Sequence, residues 1–254
     1  MTLHATVSVL AEGGPVVLYG ANDEGIKSAA EEMTEVMTEV GTRAVGGRCR
    51  LLLGQGVPAM AHRKGRLEDW RESVALGPSP LPSTWVSYPG VFAHGRLDEG
   101  TRLLLSCTPT APAGSKVLDF GCGSGIVAWE VARRSPDAEL HLLDSDAVAL
   151  EAARENVPGA TVILRDGMPR GEQGAYNLVV SNPPFHRGKD EDPGMLTEFI
   201  DGAGDVLTPR GELVFVAQRR MELEPHLARR FRSVEVLAED TTFRVWWGKD
   251  PIGG

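Results

Sequence analysis

Apolar and polar positions follow two different rhythms along this chain. From Lys116 onward, short apolar runs near Val117, Leu140, Val162, Leu178 and Val214 are separated by stretches with helical spacing over 126–134, 147–156, 195–207 and 222–230. An apolar run alternating with an amphipathic helix is the pattern of a parallel sheet wound by helices. The end departs from it. Ser233 to Leu237 and Phe243 to Trp247 are strand signals joined by a turn too short to hold a helix, so the sheet is expected to close with an antiparallel hairpin.

The front of the chain reads differently. Pro15 to Gly20 is a short strand signal, followed by Ala21-Asn22-Asp23 as a turn and cap. A helix fits Glu24 to Val40, with Ile26, Ala29, Ala30, Met33, Val36, Met37 and Val40 at three-four spacing. Leu51 to Leu53 suggest a strand, and Thr84 to Phe92 another, interrupted at Pro89-Gly90. Three prolines, Pro78, Pro80 and Pro82, mark a boundary between a small α/β unit over 1–80 and a larger domain over 84–254.

Composition narrows the possibilities. A chain of 254 residues that is 42% hydrophobic can bury the cores of one large domain and one small unit. No stretch approaches the roughly 20 apolar residues that cross a bilayer, and Met1 to Ala11 lacks a basic start followed by an apolar run, so a cytoplasmic protein with no membrane partner is expected. Cys49, Cys107 and Cys122 are odd in number and widely spaced; they read as reduced structural residues, and no metal site is expected. The net charge of −9 opposes a broad grip on nucleic acid. Any such contact must be local, and one stretch suits it: Gly41 to Leu67 holds no acid but carries Arg43, Arg48, Arg50, Arg63, Lys64 and Arg66. The same run also reads as a solvated loop with chance charge.

Candidate chemistry begins at Lys116-Val117-Leu118-Asp119-Phe120-Gly121-Cys122-Gly123-Ser124-Gly125, a strand entering a glycine-rich turn and then a helix. Glycines let the backbone approach a ligand, and a helix start offers unpaired N–H groups. A turn of this kind also serves dinucleotides, but Asp119 inside it suits a positively charged methionine group better than a pyrophosphate. Asp144, at the end of the run Glu139 to Leu143, is placed to accept ribose hydroxyls, while Asp146 before 147–156 reads as a helix cap. Asp166 and the Gly167 N–H, after Val162 to Leu164, face an adenine edge or form a plain Asp-Gly turn.

The most specific signal is Ser181-Asn182-Pro183-Pro184-Phe185-His186, directly after the strand Tyr176 to Val180. Two prolines stiffen the turn, so the Asn182 amide is held in place. An amino group on an aromatic base is a poor nucleophile because its lone pair is delocalised into the ring. If the Asn182 side-chain carbonyl and the Pro183 backbone carbonyl each accept one N–H, the nitrogen is drawn toward tetrahedral geometry and becomes reactive. Phe185 can stack on the base, a contact worth roughly 1–3 kcal/mol.

Taken together, Tyr88 to Phe92, Gly95 to Leu105, Val117 to Gly125 and Ser181 to His186 resemble the ribosomal RNA guanine methyltransferase family, comprising the small-subunit enzyme C and its large-subunit relative G. The resemblance implies a Rossmann-like, seven-stranded class I methyltransferase sheet, mostly parallel with a closing hairpin. It implies S-adenosylmethionine as cofactor, with S-adenosylhomocysteine as product, and methyl transfer to the exocyclic amine of a guanine. Cofactor contacts are implied from Phe92, Asp98 and Thr101, from Gly121, Cys122 and Gly123, from Ser145 beside Asp144, and from Asn182; substrate contacts from Phe185, His186 and Arg187. Ribosomal RNA or the small ribosomal subunit is the implied partner; a monomer is expected, although the sequence does not fix the oligomeric state. Asn-Pro-Pro loops also occur in adenine and glutamine-amide methyltransferases, and a small-molecule acceptor or a module that binds the cofactor without turnover also accommodates these motifs. Family members carry two methyltransferase-like domains, the first degenerate and helping to bind RNA. Val16 to Ser28, down to Arg48-Cys49-Arg50, resembles the later part of that first domain in shortened form.

Overall fold

The computed structural model describes residues 3, 6, 10, 13–23, 25–56, 66–78, 80–169, 171–183, 186–187, 190–191 and 193–252. They form two compact units, Met1–Arg71 and Glu72–Gly254, so the prolines of 78–82 belong to the second.

In the first unit, β1 (Pro15–Ala21), helix α1 (Ile26–Val36), β2 (Met37–Gly46) and β3 (Cys49–Gly56) make an antiparallel sheet in the order β1-β3-β2. Helix α1 packs Ile26, Met33 and Val36 against Val16 and Leu52. The helix expected to reach Val40 stops at Val36, and the chain extends at Met37 (φ −137°, ψ 155°). The apolar spacing of Met33, Val36 and Met37 suits both a helix and an inward-facing strand start. The decision goes to the hairpin, because Thr38, Thr42 and Val45 are β-branched and pair with Gln55, Leu52 and Arg50 of β3. Gly47 and Arg48, both with positive φ (55° and 69°), make the two-residue turn between β2 and β3. Much of the acid-free stretch is therefore a hairpin and not a loop.

The second unit opens with a short ladder of β4 (Glu72–Val74) and β5 (Trp85–Ser87), followed by helix α2 (Glu99–Cys107). Strand β5 ends before Tyr88-Pro89, where the chain turns through Gly90 at φ 95°. Helix α2, unanticipated from periodicity, starts where the Asp98 side chain accepts the Thr101 N–H at 2.9 Å.

Then follow β6 (Lys116–Phe120), α3 (Ile126–Arg134), β7 (Glu139–Asp144), α4 (Ala147–Asn156), β8 (Thr161–Leu164) and β9 (Tyr176–Ser181). A two-residue ladder, β10 (His186–Arg187) with β11 (Asp190–Glu191), precedes α5 (Pro193–Val206), β12 (Leu207–Gln218), α6 (Glu224–Arg230), β13 (Phe231–Glu239) and β14 (Phe243–Pro251). The seven-stranded sheet runs β13-β14-β12-β9-β6-β7-β8. Strands β12, β9, β6, β7 and β8 are parallel, and β14 returns antiparallel between β12 and β13, which is the expected hairpin.

Alternate strand residues feed two cores. Val117, Leu142, Val180, Val214 and Val216 meet Leu104, Val127, Val131 and Leu150 on one face. Leu118, Leu143, Val179, Leu213 and Phe215 meet Leu196, Phe199, Ile200 and Leu227 on the other. Burial on both faces explains why these strands read as unbroken apolar runs. Among the described residues no helix is long and apolar enough to cross a membrane.

Candidate active site

The chain leaves β6 toward β7 on one side and later returns through β9 on the other, so the sheet order reverses at the β6–β9 seam. At such a reversal the loops beyond the strand ends diverge and open a crevice. The glycine turn follows Phe120 at this crevice, and Asn182 follows Ser181 beside it, with Phe120 and Ser181 in register. The buried Ser181 hydroxyl donates to the Phe120 carbonyl at 2.7 Å, locking the two strand ends together.

A cavity of about 470 Å³ lies there, inside the second unit. It is lined by Phe92, Asp98, Thr101, Gly121, Cys122, Gly123, Asp144, Ser145, Asp166, Gly167, Asn182 and Pro183, so one space gathers the sequence candidates from five segments. Phe185 lies outside the described residues, as do Arg63 and Lys64 of the basic stretch; His186 and Arg187 stand on β10, with their side chains outside the described set.

Asp119 is the exception. It was expected at the cofactor, yet it does not line the cavity. Its carboxylate is buried beneath the turn, where Oδ2 accepts the Ala128 N–H at 2.9 Å and so satisfies a donor in the first turn of α3. Its other oxygen, Oδ1, has no protein partner. Burial, reinforced by nearby Asp144 and opposed by the Ala128 N–H, pushes its carboxyl up to about 7. Burial also pushes the Cys122 thiol well above its usual range, with Asp119 and Asp144 adding to the shift, so that thiol is no nucleophile.

Asp144 organises the turn. Its Oδ2 accepts the Gly123 N–H at 2.8 Å and its Oδ1 the Asp146 N–H at 2.9 Å, leaving each oxygen a further lone pair. Asp146 caps α4 by accepting the Val148 N–H at 2.8 Å. The Gly121 and Cys122 N–H groups bond the Leu143 carbonyl at 2.8 and 3.0 Å. Gly123 has φ 53°, and a Cβ built on it meets nothing within 4 Å, so the turn faces open space. Gly125 differs: at φ 91° it begins α3, and a Cβ there would lie 3.0 Å from Val157 Cγ2.

Asn182 is held through its amide nitrogen. Nδ2 donates to Thr101 Oγ1 at 2.8 Å and to Asp98 Oδ2 at 3.1 Å. A carboxylate only accepts, so the nitrogen is identified by its partner and the side-chain carbonyl is left to accept from something else. Asp98 Oδ2 meanwhile takes the Thr101 N–H and hydroxyl, which makes a closed cluster at the start of α2.

Several residues here carried no recognisable sequence signal. Asn156, the last residue of α4, donates to the Val86 and Ser124 carbonyls at 2.9 and 3.0 Å and accepts the Val86 N–H at 2.9 Å. It ties β5 to the glycine turn, aided by Trp85 Nε1 donating to Ser124 Oγ at 2.9 Å. Arg96, Arg165, Gln218 and Phe243 also line the cavity. Among the described residues no group of three or more His, Cys, Asp or Glu is arranged to hold a metal ion.

Comparison with known proteins bears on this cavity. Residues 83–247 match the family model described as the methyltransferase small domain. The chain is 31% identical to ribosomal RNA small subunit methyltransferase C of Shewanella loihica, over 93% of this chain and 69% of that protein. It is 35% identical to the protein of that name from Chromohalobacter salexigens, over 96% of this chain and 72% of the relative. Among solved structures, the T. thermophilus 16S rRNA N2 methyltransferase RsmC, in complex with AdoMet and guanosine, superposes with a TM-score of 0.79 at 22% identity, covering 98% of this chain and 68% of that one.

Proposed function

We propose, for a chain that belongs to the ribosomal RNA small subunit methyltransferase C family, that it transfers the methyl group of S-adenosylmethionine to the exocyclic amino group of a guanine in small-subunit ribosomal RNA. The observation that carries this reading is the Asn182 amide, whose nitrogen is tied to Thr101 and Asp98 while its carbonyl remains to accept an N–H at the cavity.

The residues present fit the cofactor. The glycine turn leaves open space at Gly123, Asp144 retains acceptor capacity for ribose hydroxyls, and Asp166 with Gly167 offers polar groups to an adenine edge. Phe92, Asp98, Thr101, Gly121, Cys122, Ser145 and Asn182, which line the same cavity, would make up the rest of the binding set. When bound, S-adenosylmethionine supplies an electrophilic methyl on a positively charged sulfur. The Asn182 side-chain carbonyl and the Pro183 backbone carbonyl would each accept a hydrogen bond from one amine N–H, which localises the lone pair on the nitrogen. No general base is needed before attack, because the amine becomes acidic only once it is alkylated.

The first unit serves as the RNA-facing part of the enzyme. Its support is the absence of acid between Gly41 and Leu67, where Arg43, Arg48, Arg50 and Arg66 stand in a chain of net charge −9.

The test is incubation with methyl-labelled S-adenosylmethionine and separated ribosomal subunits from a strain lacking the protein. Label is expected in N2-methylguanine of small-subunit RNA. Label in adenine, in a protein glutamine or in a small molecule instead would overturn the acceptor, and cofactor binding without transfer to any of them would overturn the enzyme.

A further inference from the structure

The sheet of the first unit has two unlike faces. Register divides its residues: Val16 and Leu52 lie under α1, whereas Val17 pairs with Leu53 and Tyr19 with Leu51 on the opposite face. Ala44 pairs with Leu51 from the other side and extends that face. It carries no charge at these positions, and its apolar side chains are open to solvent, Tyr19 at 70% and Val17 at 58% exposed. Exposed apolar side chains that adjoin one another in this way, unlike ones scattered singly, are what a contact surface presents.

Charge shows what kind of contact. The acids of this unit's helix, Glu31, Glu32 and Glu35, are exposed on the α1 side of the sheet. The hairpin carries one exposed acid, Glu39 near the start of β2, and beyond it arginine: Arg43 at the β2 bulge and Arg48 in the turn, both exposed, with no acid from Gly41 to Gly56. Tyr19 stands close to that end: its pairing with Leu51 is two rungs from that of Ala21 with Cys49, and Arg48 directly precedes Cys49. A protein partner would be served by the apolar face alone. An aromatic platform bordered by cations that keep their charge at any working pH suits a chain with planar rings and phosphates.

We propose that this outer face is a platform for a single-stranded RNA segment, with a base stacked on Tyr19 and backbone phosphates taken by Arg43 and Arg48. This deepens the RNA-methyltransferase reading and rests on it for the partner. The ring contributes stacking, insensitive to salt, while the arginines contribute charge neutralisation, which salt weakens. The two contributions therefore separate experimentally.

The experiment uses the full chain and a short fluorescein-labelled single-stranded RNA, with affinity measured by anisotropy across a salt series. Tyr19→Ala and Tyr19→Leu are expected to weaken binding about tenfold with an unchanged salt slope, and Tyr19→Phe to bind as wild type, since the ring is kept. Arg43→Gln and Arg48→Gln are expected to flatten the slope by about 0.7 per lost phosphate contact. Wild-type affinity in Tyr19→Ala would overturn the platform. So would a wild-type dimer in sedimentation that Tyr19→Ala dissociates, because the face would then belong to a second copy. Methyl transfer to RNA, measured in parallel, separates the two ideas. A wild-type enzyme that methylates RNA, beside a Tyr19→Ala variant with the same KM for RNA, sinks the platform alone; a wild type that never methylates RNA sinks the reading beneath it.

Discussion

Asn182 Nδ2 lies 2.8 Å from Thr101 Oγ1, joining two positions 81 residues apart in the chain. That bond, with the 3.1 Å bond to Asp98, sets which end of the Asn182 amide faces the cavity. An amide free to rotate would offer N–H donors to the incoming amine half the time and repel it. The cluster at the start of α2 therefore fixes the amide orientation on which the role proposed for Asn182 depends.

Asn182→Ala removes the side-chain acceptor. Losing one positioned hydrogen-bond partner at a charge-developing transition state lowers turnover by roughly 10²–10³, equivalent to about 3–4 kcal/mol. Cofactor affinity should hold, since most of the binding set lies elsewhere. Single-turnover rates with calorimetric cofactor affinities check both halves; retention of more than about a third of the rate would make the turn scaffold.

Thr101→Val keeps the branched shape but deletes the oxygen that accepts from Asn182. The expected loss is about tenfold in single-turnover rate, the worth of one orienting hydrogen bond near 1.4 kcal/mol, and Thr101→Ser should restore most of it. Equal rates in the Val and Ser variants would show that Asp98 alone suffices to orient the amide.

Asp144→Ala takes the acceptor from the Gly123 and Asp146 N–H groups and from the proposed ribose contact. Cofactor affinity should fall at least tenfold, about 1.4 kcal/mol or more. Calorimetry giving the wild-type value would remove Asp144 from the cofactor's contacts.

Asp119 links stability to pH. Its carboxyl is raised from 3.8 to about 7 in the fold, so between those values the folded state holds a proton that the unfolded chain has released. Its contribution is therefore complete below about pH 4 and is lost as pH rises to 7, with a slope near 1.4 kcal/mol per unit. Asp119→Asn should lack this component. Urea titrations from pH 5 to 8 should show the wild type losing stability relative to the variant up to pH 7 and running parallel above it; parallel curves throughout would mean that Asp119 is ionised in the fold.

Gly125→Ala places a Cβ 3.0 Å from Val157 Cγ2 on a backbone at φ 91°. Destabilisation of about 1–3 kcal/mol is expected, measured as a lower denaturant midpoint at an unchanged slope. Gly123→Ala, at φ 53° but with open space around the new methyl, should lose less stability and more cofactor affinity.

The parallel sheet, its helices and its closing hairpin were legible because burial on both faces forces continuous apolar strands, and helices over them keep a three-four repeat. Helix α3 and helix α4 start and stop where spacing and caps place them, at Ile126–Arg134 and Ala147–Asn156. The glycine turn, the strand-tip acids Asp144 and Asp166 and the Asn182-Pro183 step after β9 were legible too, since each is set by a few neighbouring residues. What local pattern could not decide was anything that depends on a distant partner. Met37 to Val40 suits helix and strand alike, and only β3 alongside it makes the strand. Asp119 stands in the right motif, yet strand alternation buries its carboxylate beneath α3, out of the cavity. Asn156 reads as an ordinary helix end until β5 comes to lie against it. Nothing near Asn182 in the chain says which way its amide faces; that orientation arises only when folding brings Thr101 and Asp98 within hydrogen-bond reach, because a hydrogen bond is short-ranged and sequence separation carries no information about it.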